Sequence, residues 1–309
     1  MAGEFELIDR ITEGLTVGDD VILGVGDDAA VLAPSGNIVV TTDMLIENVH
    51  FRRAWSPACA IGRKAVAVNV SDVEAMGARP SAVVVALAFP KDLDQDWVAE
   101  FEAGAVEECR RAEVSLVGGD LSSSAHIAIT VTAIGDLDGR AAVTRAGARA
   151  GDVVAVCGRL GWAGAGLAAL QRGFGSPKEV VAEQLTPSVP YGQGVVAARA
   201  GATAMLDVSD GLLADLGHIA ERSHVLIDVD STLLEIPDAV QRVAAATGRP
   251  ALSFVLAGGE DHALAATFPA DAALPEGWRR VGSVREGSGI VVDGAPFDGS
   301  LGWDHFAQR

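Results

Sequence analysis

The sequence is poor in lysine, tyrosine and cysteine, and these shortages exclude several classes of protein. It has three lysines, one tyrosine and three cysteines in 309 residues. None of the lysines follows a glycine, so the chain has no Walker-type P-loop. Cys59, Cys109 and Cys157 are odd in number and far apart in the sequence. This spacing excludes a Cys/His zinc motif and predicts reduced thiols in a cytoplasmic protein.

Positive charge and long apolar runs are also scarce. Lysine and arginine number 23 against 42 acidic residues, which gives a net charge of −19. Nucleic acid and anionic membranes bind through basic patches, so neither is expected as a partner. The apolar stretch at residues 82–89 is too short to span a bilayer. The first six residues lack the basic and apolar regions of a signal peptide, and none is expected.

Short apolar runs alternate with helical patterns, which predicts an α/β (α+β) fold. A length of 309 residues favours two domains. The Gly-, Asp- and Arg-rich segment 135–152 is the expected junction, which gives domains at residues 1–140 and 141–309. Predicted strands cover residues 21–25, 38–41, 82–89, 115–117, 127–134, 153–157, 204–208, 225–229, 262–268, 279–284 and 290–292. Predicted helices cover residues 5–11, 58–76, 97–112, 162–171, 178–185, 191–200 and 212–223, and one more begins at Pro237.

Aspartates recur just beyond apolar runs, in small turns rich in glycine, serine or threonine. Two carboxylates about 4 Å apart repel by roughly 4 kcal/mol at an effective dielectric near 20, so a site that gathers many of them needs cations. Oxygen ligands without Cys or His clusters favour Mg²⁺ or Ca²⁺ over zinc. The pattern therefore predicts a site with several Mg²⁺-type ions that handles phosphates. The segments are 24–28, 41–43, 69–72, 118–120, 207–210 and 258–261.

Each of these segments also has an ordinary interpretation. Gly24–Ala29 matches the loose dinucleotide form G-x-G-x-x-A, which would indicate a nicotinamide oxidoreductase, although Asp27 and Asp28 would repel a pyrophosphate there. Thr41-Thr42-Asp43 at a strand end is typical of a helix cap, as is Ser-Asp before a helix at Asp72 and Asp210. A non-catalytic Ca²⁺-binding acidic module is a further alternative.

Three smaller features point to phosphates or to a substrate. Gly118-Gly119-Asp120 after a strand would bring backbone N–H groups to a phosphate, or would form a plain turn. Arg145, in a Thr-Arg-Ala-Gly segment, is a candidate phosphate contact. His50 follows Asp43 closely and is a candidate substrate contact, although a single histidine is more often structural.

Taken in order, the motifs resemble those of the thiamine-monophosphate kinases, in the aminoimidazole-ribonucleotide-synthetase-like superfamily. The resemblance covers nearly the whole chain. The early Gly3-Glu4-Phe5 and the closing Trp303-Asp304-His305-Phe306 separate this family from its superfamily relatives. Between them lie segments 24–29, 41–43, 50–51, 64–72, 75–78, 118–120, 144–145, 151–152, 207–212, 215–218 and 258–261.

The resemblance implies the superfamily's two-domain fold, with an N-terminal sheet that pairs across a homodimer and a C-terminal α/β domain. It implies phosphorylation of thiamine monophosphate by ATP, with several Mg²⁺ ions and direct in-line transfer. By motif, the implied metal ligands are Asp28, Thr41, Thr42, Asp43, Asp72, Asp120, Asp207 and Asp210, of which Asp43, Asp72 and Asp210 are the implied catalytic set. The implied ATP contacts are Gly119, Asp120, Arg145 and Ser209. The implied substrate contacts are His50, Glu260 and Trp303.

Two residues depart from the family's usual pattern. His262 follows Glu260-Asp261 where an aromatic residue is more usual, and Trp303 takes a place often held by tyrosine. Both departures are expected to change substrate affinity without changing the reaction. Among superfamily relatives, selenophosphate synthetase is disfavoured because no cysteine precedes Cys59, and the hydrogenase-maturation relative because no cysteine ends this sequence.

Overall fold

The structure is a computed structural model that describes residue 10, residue 12 and residues 14–303. Within it the chain forms two compact units. The first unit comprises Met1–Val73 and Ala78–Ala141, and the second comprises Glu74–Gly77 and Ala142–Arg309. The helix predicted at residues 5–11 lies outside the described residues except at residue 10, which is helical. The motif residues 3–5 and 304–306 also lie outside them.

A four-stranded mixed sheet forms the centre of the first unit. A small antiparallel ribbon, β1 (Val21–Leu23) and β2 (Val31–Leu32), precedes it. The sheet contains β3 (Ile38–Ile46), β4 (Arg79–Phe89), β5 (Ser115–Ser123) and β6 (Ala128–Asp136), in the order β3-β6-β4-β5. Strands β4 and β5 are parallel, and the other pairs are antiparallel. The parallel pair needs a crossover, which a helix supplies.

Two helices of the first unit approach each other closely at glycines. They are α1 (Ala58–Ala75) and α2 (Gln95–Arg111), and Asp94 caps α2 by accepting from the Asp96 backbone N–H. A Cβ atom on Gly62 would lie 1.9 Å from the Phe101 carbonyl oxygen, and one on Gly104 2.0 Å from that of Cys59. No side chain fits either position, so the sequence is fixed there by packing.

The second unit is built on a six-stranded mixed sheet with the order β12-β9-β11-β7-β10-β8. Alternate residues of its central strand point into different cores. Val154 and Val156 join one buried cluster, while Val153, Ala155 and Cys157 join another. The strands are β7 (Val153–Cys157), β8 (Ala204–Val208), β9 (Leu226–Val229), β10 (Ala263–Phe268), β11 (Trp278–Arg285) and β12 (Gly289–Val292). The helices are α3 (Trp162–Gln171), α4 (Lys178–Leu185), α5 (Gln193–Arg199), α6 (Leu212–Ser223), α7 (Asp238–Thr247) and α8 (Ala251–Ala257), with a 3-10 turn at Ser231–Leu233.

The structure confirms most predicted elements and corrects three local interpretations. Residues 118–120 lie inside β5 rather than in a turn after it. Residues 41–43 lie in the middle of β3 rather than at its end. Asp72 lies in the last turn of α1, so it does not lead into a helix or cap one. Helix α8 was not predicted.

None of the helices in the described part of the chain combines the length and apolarity needed to cross a bilayer.

Candidate active site

In the first unit, strand β3 and helix α1 bring two of the predicted metal ligands into contact. The Thr41 hydroxyl donates a hydrogen bond to Asp72 Oδ2 at 2.7 Å. One helical turn earlier, Asn69 Oδ1 accepts a bond of 2.8 Å from the Asp43 backbone N–H. Residues three apart on a helix share a face, so Asn69 and Asp72 together hold β3 at Thr41 and Asp43. The Asp43 side chain is exposed and that of Asp72 is half-buried.

Thr42 lies between these residues but points to the other face of the sheet, as strand alternation requires. Its hydroxyl donates to the Val131 carbonyl at 2.9 Å and receives a 3.2 Å contact from the Thr132 hydroxyl. If Thr42 is a metal ligand beside Asp72, it therefore binds the metal through its backbone carbonyl.

Asp28 lies in the loop that follows β1, among exposed residues. The neighbouring Asp27 Oδ1 accepts from the Asp28 backbone N–H at 2.8 Å. Gly26 has a φ of +123°, a conformation that favours glycine. Local geometry thus shapes this loop, and the Asp28 carboxylate is exposed at its surface.

Asp120 lies on β5 beside a largely apolar pocket of about 120 Å³. Its Oδ2 accepts from the Ser122 hydroxyl at 2.8 Å. A Cβ on the preceding Gly119 would lie 2.2 Å from the Val85 carbonyl oxygen, so glycine is required there for β5 to approach β4. The pocket is lined by Thr12, Val25, Val85, Leu87, Val98, Phe101, Glu102, Ala105, Leu116, Gly118, Gly119, Asp120 and Leu121.

Glu102 is a pocket residue that sequence reasoning missed. Burial raises its pKa to about 7 from an ordinary value of 4.5. The signal was in the sequence: Glu102 stands four residues after Val98 and three before Ala105, on the apolar face of α2. A carboxyl group at such a position is expected to have a partner or a function.

His50 stabilises the turn that follows β3. Its Nδ1 accepts a hydrogen bond of 3.0 Å from the Ile46 backbone N–H. Because Nδ1 is an acceptor, the proton of the neutral ring is on Nε2. The half-buried ring thus has a structural role in this turn.

In the second unit, Asp207 and Asp210 lie at the end of β8 and just before α6. Asp207 is buried, and its Oδ2 lies 2.9 Å from His262 Nδ1. The nearby Asp215 Oδ2 accepts from the backbone N–H groups of Asp210 and Gly211, each at 3.0 Å. Burial, reinforced by the charges of Asp207 and Asp210, raises the pKa of Asp215 to about 7. Three carboxyl groups are therefore close enough at this strand end to repel one another.

The Gly-Gly-Glu-Asp-His loop is attached to the same strand end. The Glu260 backbone N–H donates to the Ser209 carbonyl at 2.7 Å, and that of His262 donates to the Val208 carbonyl at 2.8 Å. A Cβ on Gly259 would lie 2.8 Å from the Ser209 carbonyl oxygen. The loop thus holds Glu260 beside Ser209, bringing a predicted substrate contact and a predicted ATP contact together.

The remaining two predicted residues, Trp303 and Arg145, also lie in the second unit. The Trp303 backbone N–H donates to the Asp210 carbonyl at 2.9 Å, and the side chain is exposed. Arg145 is exposed, and its carbonyl accepts from the Ser223 hydroxyl at 3.1 Å. Both side chains lie at the surface, where a ligand can reach them.

The donors in both units are carboxylate and hydroxyl oxygens, which is the chemistry that Mg²⁺ takes. Among residue 10, residue 12 and residues 14–303, no three His, Cys, Asp or Glu side chains are arranged as a metal-binding group.

Comparisons with known proteins match both halves of the chain. Residues 26–137 match the N-terminal domain of AIR synthase related proteins, and residues 149–292 match the C-terminal domain. The thiamine-monophosphate kinase of Mycobacterium tuberculosis is 47% identical, over 99% of this chain and 92% of the relative. That of Aquifex aeolicus is 37% identical, over 98% of both.

Solved structures give the same result. AaThiL complexed with AMPPCP and TMP matches with a TM-score of 0.81 and 36% identity, over 98% of this chain and 97% of that one. The structure of the thiamine-monophosphate kinase of Stenotrophomonas maltophilia also matches with a TM-score of 0.81 and 36% identity, over 95% of this chain and 96% of that one. The Escherichia coli hydrogenase maturation protein HypE has a TM-score of 0.75 at 20% identity, over 94% of each chain, and shows the fold alone. The chain belongs to the thiamine-monophosphate kinase family.

Proposed function

We propose that this protein transfers the γ-phosphoryl group of ATP to thiamine monophosphate, forming thiamine diphosphate and ADP. The observation that carries the proposal is the match, over 98% of the chain, to a structure that holds AMPPCP and TMP together. AMPPCP is the methylene analogue of ATP, so that relative binds nucleotide and acceptor at once. The 47% identity to the Mycobacterium tuberculosis kinase supports the same activity.

The chemistry needs no general base. A terminal phosphate oxygen of thiamine monophosphate is anionic at neutral pH and forms the new bond to the γ-phosphorus. The bond from the γ-phosphorus to the β,γ-bridging oxygen breaks, and ADP leaves. The protein's task is to bring two polyanions together in line and to hold them there.

Several Mg²⁺ ions are part of the proposal. When bound, Mg²⁺ neutralises the phosphate charge that the acidic residues would otherwise repel. The residues assigned to hold it are those that the family resemblance implies: Asp28, Thr41, Thr42, Asp43, Asp72, Asp120, Asp207 and Asp210. The Thr41–Asp72 hydrogen bond supports this assignment in the first unit, and the position of Asp207 and Asp210 at the same strand end supports it in the second.

We assign the pocket beside Asp120 to the nucleotide base. Its walls are largely aliphatic and aromatic, as a base-binding pocket requires. Gly119 and Asp120, which the resemblance assigns to ATP, form one side of the pocket, and Glu102 supplies a polar group for the edge of the base. Arg145 and Ser209 are proposed phosphate contacts of ATP.

Thiamine monophosphate is assigned to His50, Glu260 and Trp303. His50 is assigned through the family resemblance, and its ring is half-buried in the turn after β3. Glu260 and the exposed Trp303 ring suit the positively charged thiazolium and the aminopyrimidine, through charge and through stacking.

A homodimer, cytoplasmic localisation and the domain bounds 1–140 and 141–309 remain proposals. The observation that supports a dimer is an apolar row on one face of β3. Ile38, Val40 and Met44 are 53%, 57% and 49% exposed. An exposed row that is apolar except at Thr42 is typical of an interface, and a second copy of the same sheet would cover it. Light scattering that gives twice the 31.6 kDa chain mass would support the dimer.

The experiment that tests the activity combines purified protein, ATP, Mg²⁺ and thiamine monophosphate. Thiamine diphosphate and ADP should form in equal amounts, and neither should accumulate when thiamine monophosphate is left out. ATP turnover independent of thiamine monophosphate, or no turnover at all, would contradict the proposal. NADH binding would favour the oxidoreductase alternative, and Ca²⁺ binding without turnover would favour the acidic module.

A further inference from the structure

His262 is the residue that departs from the family pattern in the Gly-Gly-Glu-Asp-His loop, and the structure shows what its side chain contacts. Its Nδ1 lies 2.9 Å from Asp207 Oδ2. Both residues are 5% exposed, so water competes little for this hydrogen bond. A phenylalanine at the same position has no nitrogen with which to make it.

The backbone fixes the ring in this position. In the antiparallel pair β10–β8, Ala263 faces Val208 and Leu264 faces Asp207. His262 directly precedes β10, has a φ of +50° and donates its backbone N–H to the Val208 carbonyl. The turn therefore brings the imidazole back across the end of the neighbouring strand, onto the Asp207 side chain.

The direction of the bond follows from the chemistry of the partners. A carboxylate that binds a metal only accepts, so in the proposed site Nδ1–H of His262 donates the hydrogen bond to Asp207. A donor on Oδ2 fixes the side-chain torsions of Asp207 and hence the direction of Oδ1. In metal sites, such outer hydrogen bonds orient the ligand, and their loss commonly costs about 10–100-fold in metal affinity.

We propose that His262 is a positioning residue that orients Asp207 for Mg²⁺, rather than a contact of the thiamine moiety. This inference rests on the proposed function, which makes Asp207 a metal ligand. The sequence alone led us to expect that a histidine at position 262 changes the affinity for the substrate, and the inference replaces that expectation. His262 sets the Mg²⁺ requirement of the enzyme, whereas its effect on the affinity for thiamine monophosphate is secondary.

Three substitutions separate the hydrogen bond from the volume of the ring. His262→Asn keeps an N–H donor close to the position of Nδ1, and His262→Gln moves the donor one bond further out. His262→Phe places at this position the kind of residue that is more usual in the family. Binding of Mn²⁺ is measured by electron paramagnetic resonance in the presence of AMPPCP, without turnover. The Mg²⁺ concentration for half-maximal activity and the KM for thiamine monophosphate are measured alongside.

The phenylalanine and glutamine variants should bind Mn²⁺ about 10-fold more weakly or worse and need correspondingly more Mg²⁺, while the asparagine variant recovers most of the affinity. If His262→Phe does not fold, the comparison of Mn²⁺ binding between His262→Asn and His262→Gln tests the inference. Unchanged Mn²⁺ binding in the folded variants would overturn the inference. Equal losses of Mn²⁺ affinity in the asparagine and glutamine variants, in proportion to their lower melting temperatures, would also overturn it. A raised KM for thiamine monophosphate with an unchanged Mg²⁺ requirement would do the same.

Asp207→Asn separates failure of this inference from failure of the proposed function. If this variant binds Mn²⁺ normally, Asp207 is not a metal ligand and the metal assignment is wrong. If it loses Mn²⁺ while the His262 variants keep it, only the positioning role is wrong.

Discussion

The backbone N–H of Trp303 donates a hydrogen bond to the carbonyl of Asp210 at 2.9 Å. The Ala214 backbone N–H donates to the Leu301 carbonyl at 3.1 Å, so residues 301–303 are tied to the start of α6 by main-chain bonds. Trp303 is 47% exposed. Anchoring of this segment is thus accomplished by the backbone, and the ring presents a face to solvent next to a proposed metal ligand.

Trp303→Ala is expected to raise the KM for thiamine monophosphate and to leave the KM for ATP nearly unchanged. An aromatic face over the thiazolium cation contributes roughly 0.5–2 kcal/mol, which corresponds to a rise of roughly 2- to 30-fold. Trp303→Tyr keeps an aromatic face and should behave much like the parent protein. Steady-state kinetics with each substrate varied in turn measures both constants.

Gly302→Ala is the matched control for the position of this segment. A Cβ there would lie 2.6 Å from the Asp210 carbonyl oxygen, so the substitution displaces the backbone while the Trp303 ring is retained. It should impair both substrates and lower the melting temperature. If Trp303→Ala shows this same pattern, the ring is a structural anchor and its substrate role is wrong.

Substitutions in the hydrogen-bonded pair Thr41–Asp72 separate the effect of the Asp72 charge on activity from the effect of the hydrogen bond. Asp72→Asn keeps an oxygen that accepts from Thr41 but removes the charge, so turnover should be lost. Without metal its melting temperature should stay level or rise, because repulsion among carboxylates is relieved. Thr41→Val removes the hydrogen bond and keeps the charge, and should retain more activity than Asp72→Asn.

The same loss of turnover is expected for Asp43→Asn and Asp210→Asn. Asp27→Asn is a control for general surface charge, since Asp27 is exposed and belongs to no assigned metal set. Near-normal activity in all three assigned variants would show that the metal assignment is wrong. Thermal denaturation in excess EDTA and activity in Mg²⁺ provide the two measurements.

Periodic patterns predicted most strands and helices because alternation and helical spacing are local properties. The second-unit strand at residues 153–157 agrees with the structure residue for residue. Residues 118–120 were misassigned because Gly-Gly-Asp is typical of turns, whereas Gly119 is demanded by the nearby Val85 carbonyl. Asp72 was misassigned because Ser-Asp also occurs within a helix.

Contacts between distant residues were beyond the sequence alone. The Asp207–His262 bond depends on β8 pairing with β10, which no local pattern specifies. Glu102 was overlooked for a different reason: its position on the apolar face of α2 was readable, but the pocket that it lines requires β4 and β5 as well. Motifs thus located candidate residues, and the structure showed which of them are in contact.

Stability should fall as pH rises through about 7, in part because of Asp261. This residue is buried and accepts hydrogen bonds from the Gly161 and Ala163 backbone N–H groups. Burial raises its pKa from 3.8 to about 7. A raised pKa means that the folded state binds the proton more tightly than the unfolded state. The contribution of Asp261 to the stability of the folded state is therefore fully present below about pH 4. It is lost progressively as the pH rises to about 7.

Urea denaturation at about pH 5.5 and about pH 8 should give a lower free energy of unfolding at the higher pH, with an upper bound on the order of 2 kcal/mol from this group. Asp261→Asn cannot titrate, so its unfolding free energy should depend less on pH even though its absolute stability is lower. The same slope with pH in both proteins would assign the effect to other groups.

Glu102 is expected to favour ATP over GTP, because its carboxyl group lines the pocket assigned to the base. A neutral carboxylic acid, like an amide, offers one donor and one acceptor, the pattern that matches adenine N7 and its exocyclic amine. Guanine presents two acceptors, O6 and N7, at the same edge and is matched less well. Glu102→Gln should therefore keep the preference. Glu102→Leu should reduce the ratio of kcat/KM for ATP to that for GTP by roughly 5- to 160-fold, since one such pair is worth about 1–3 kcal/mol. An unchanged ratio in Glu102→Leu, with thiamine monophosphate kinetics unaffected, would mean that the base does not contact Glu102.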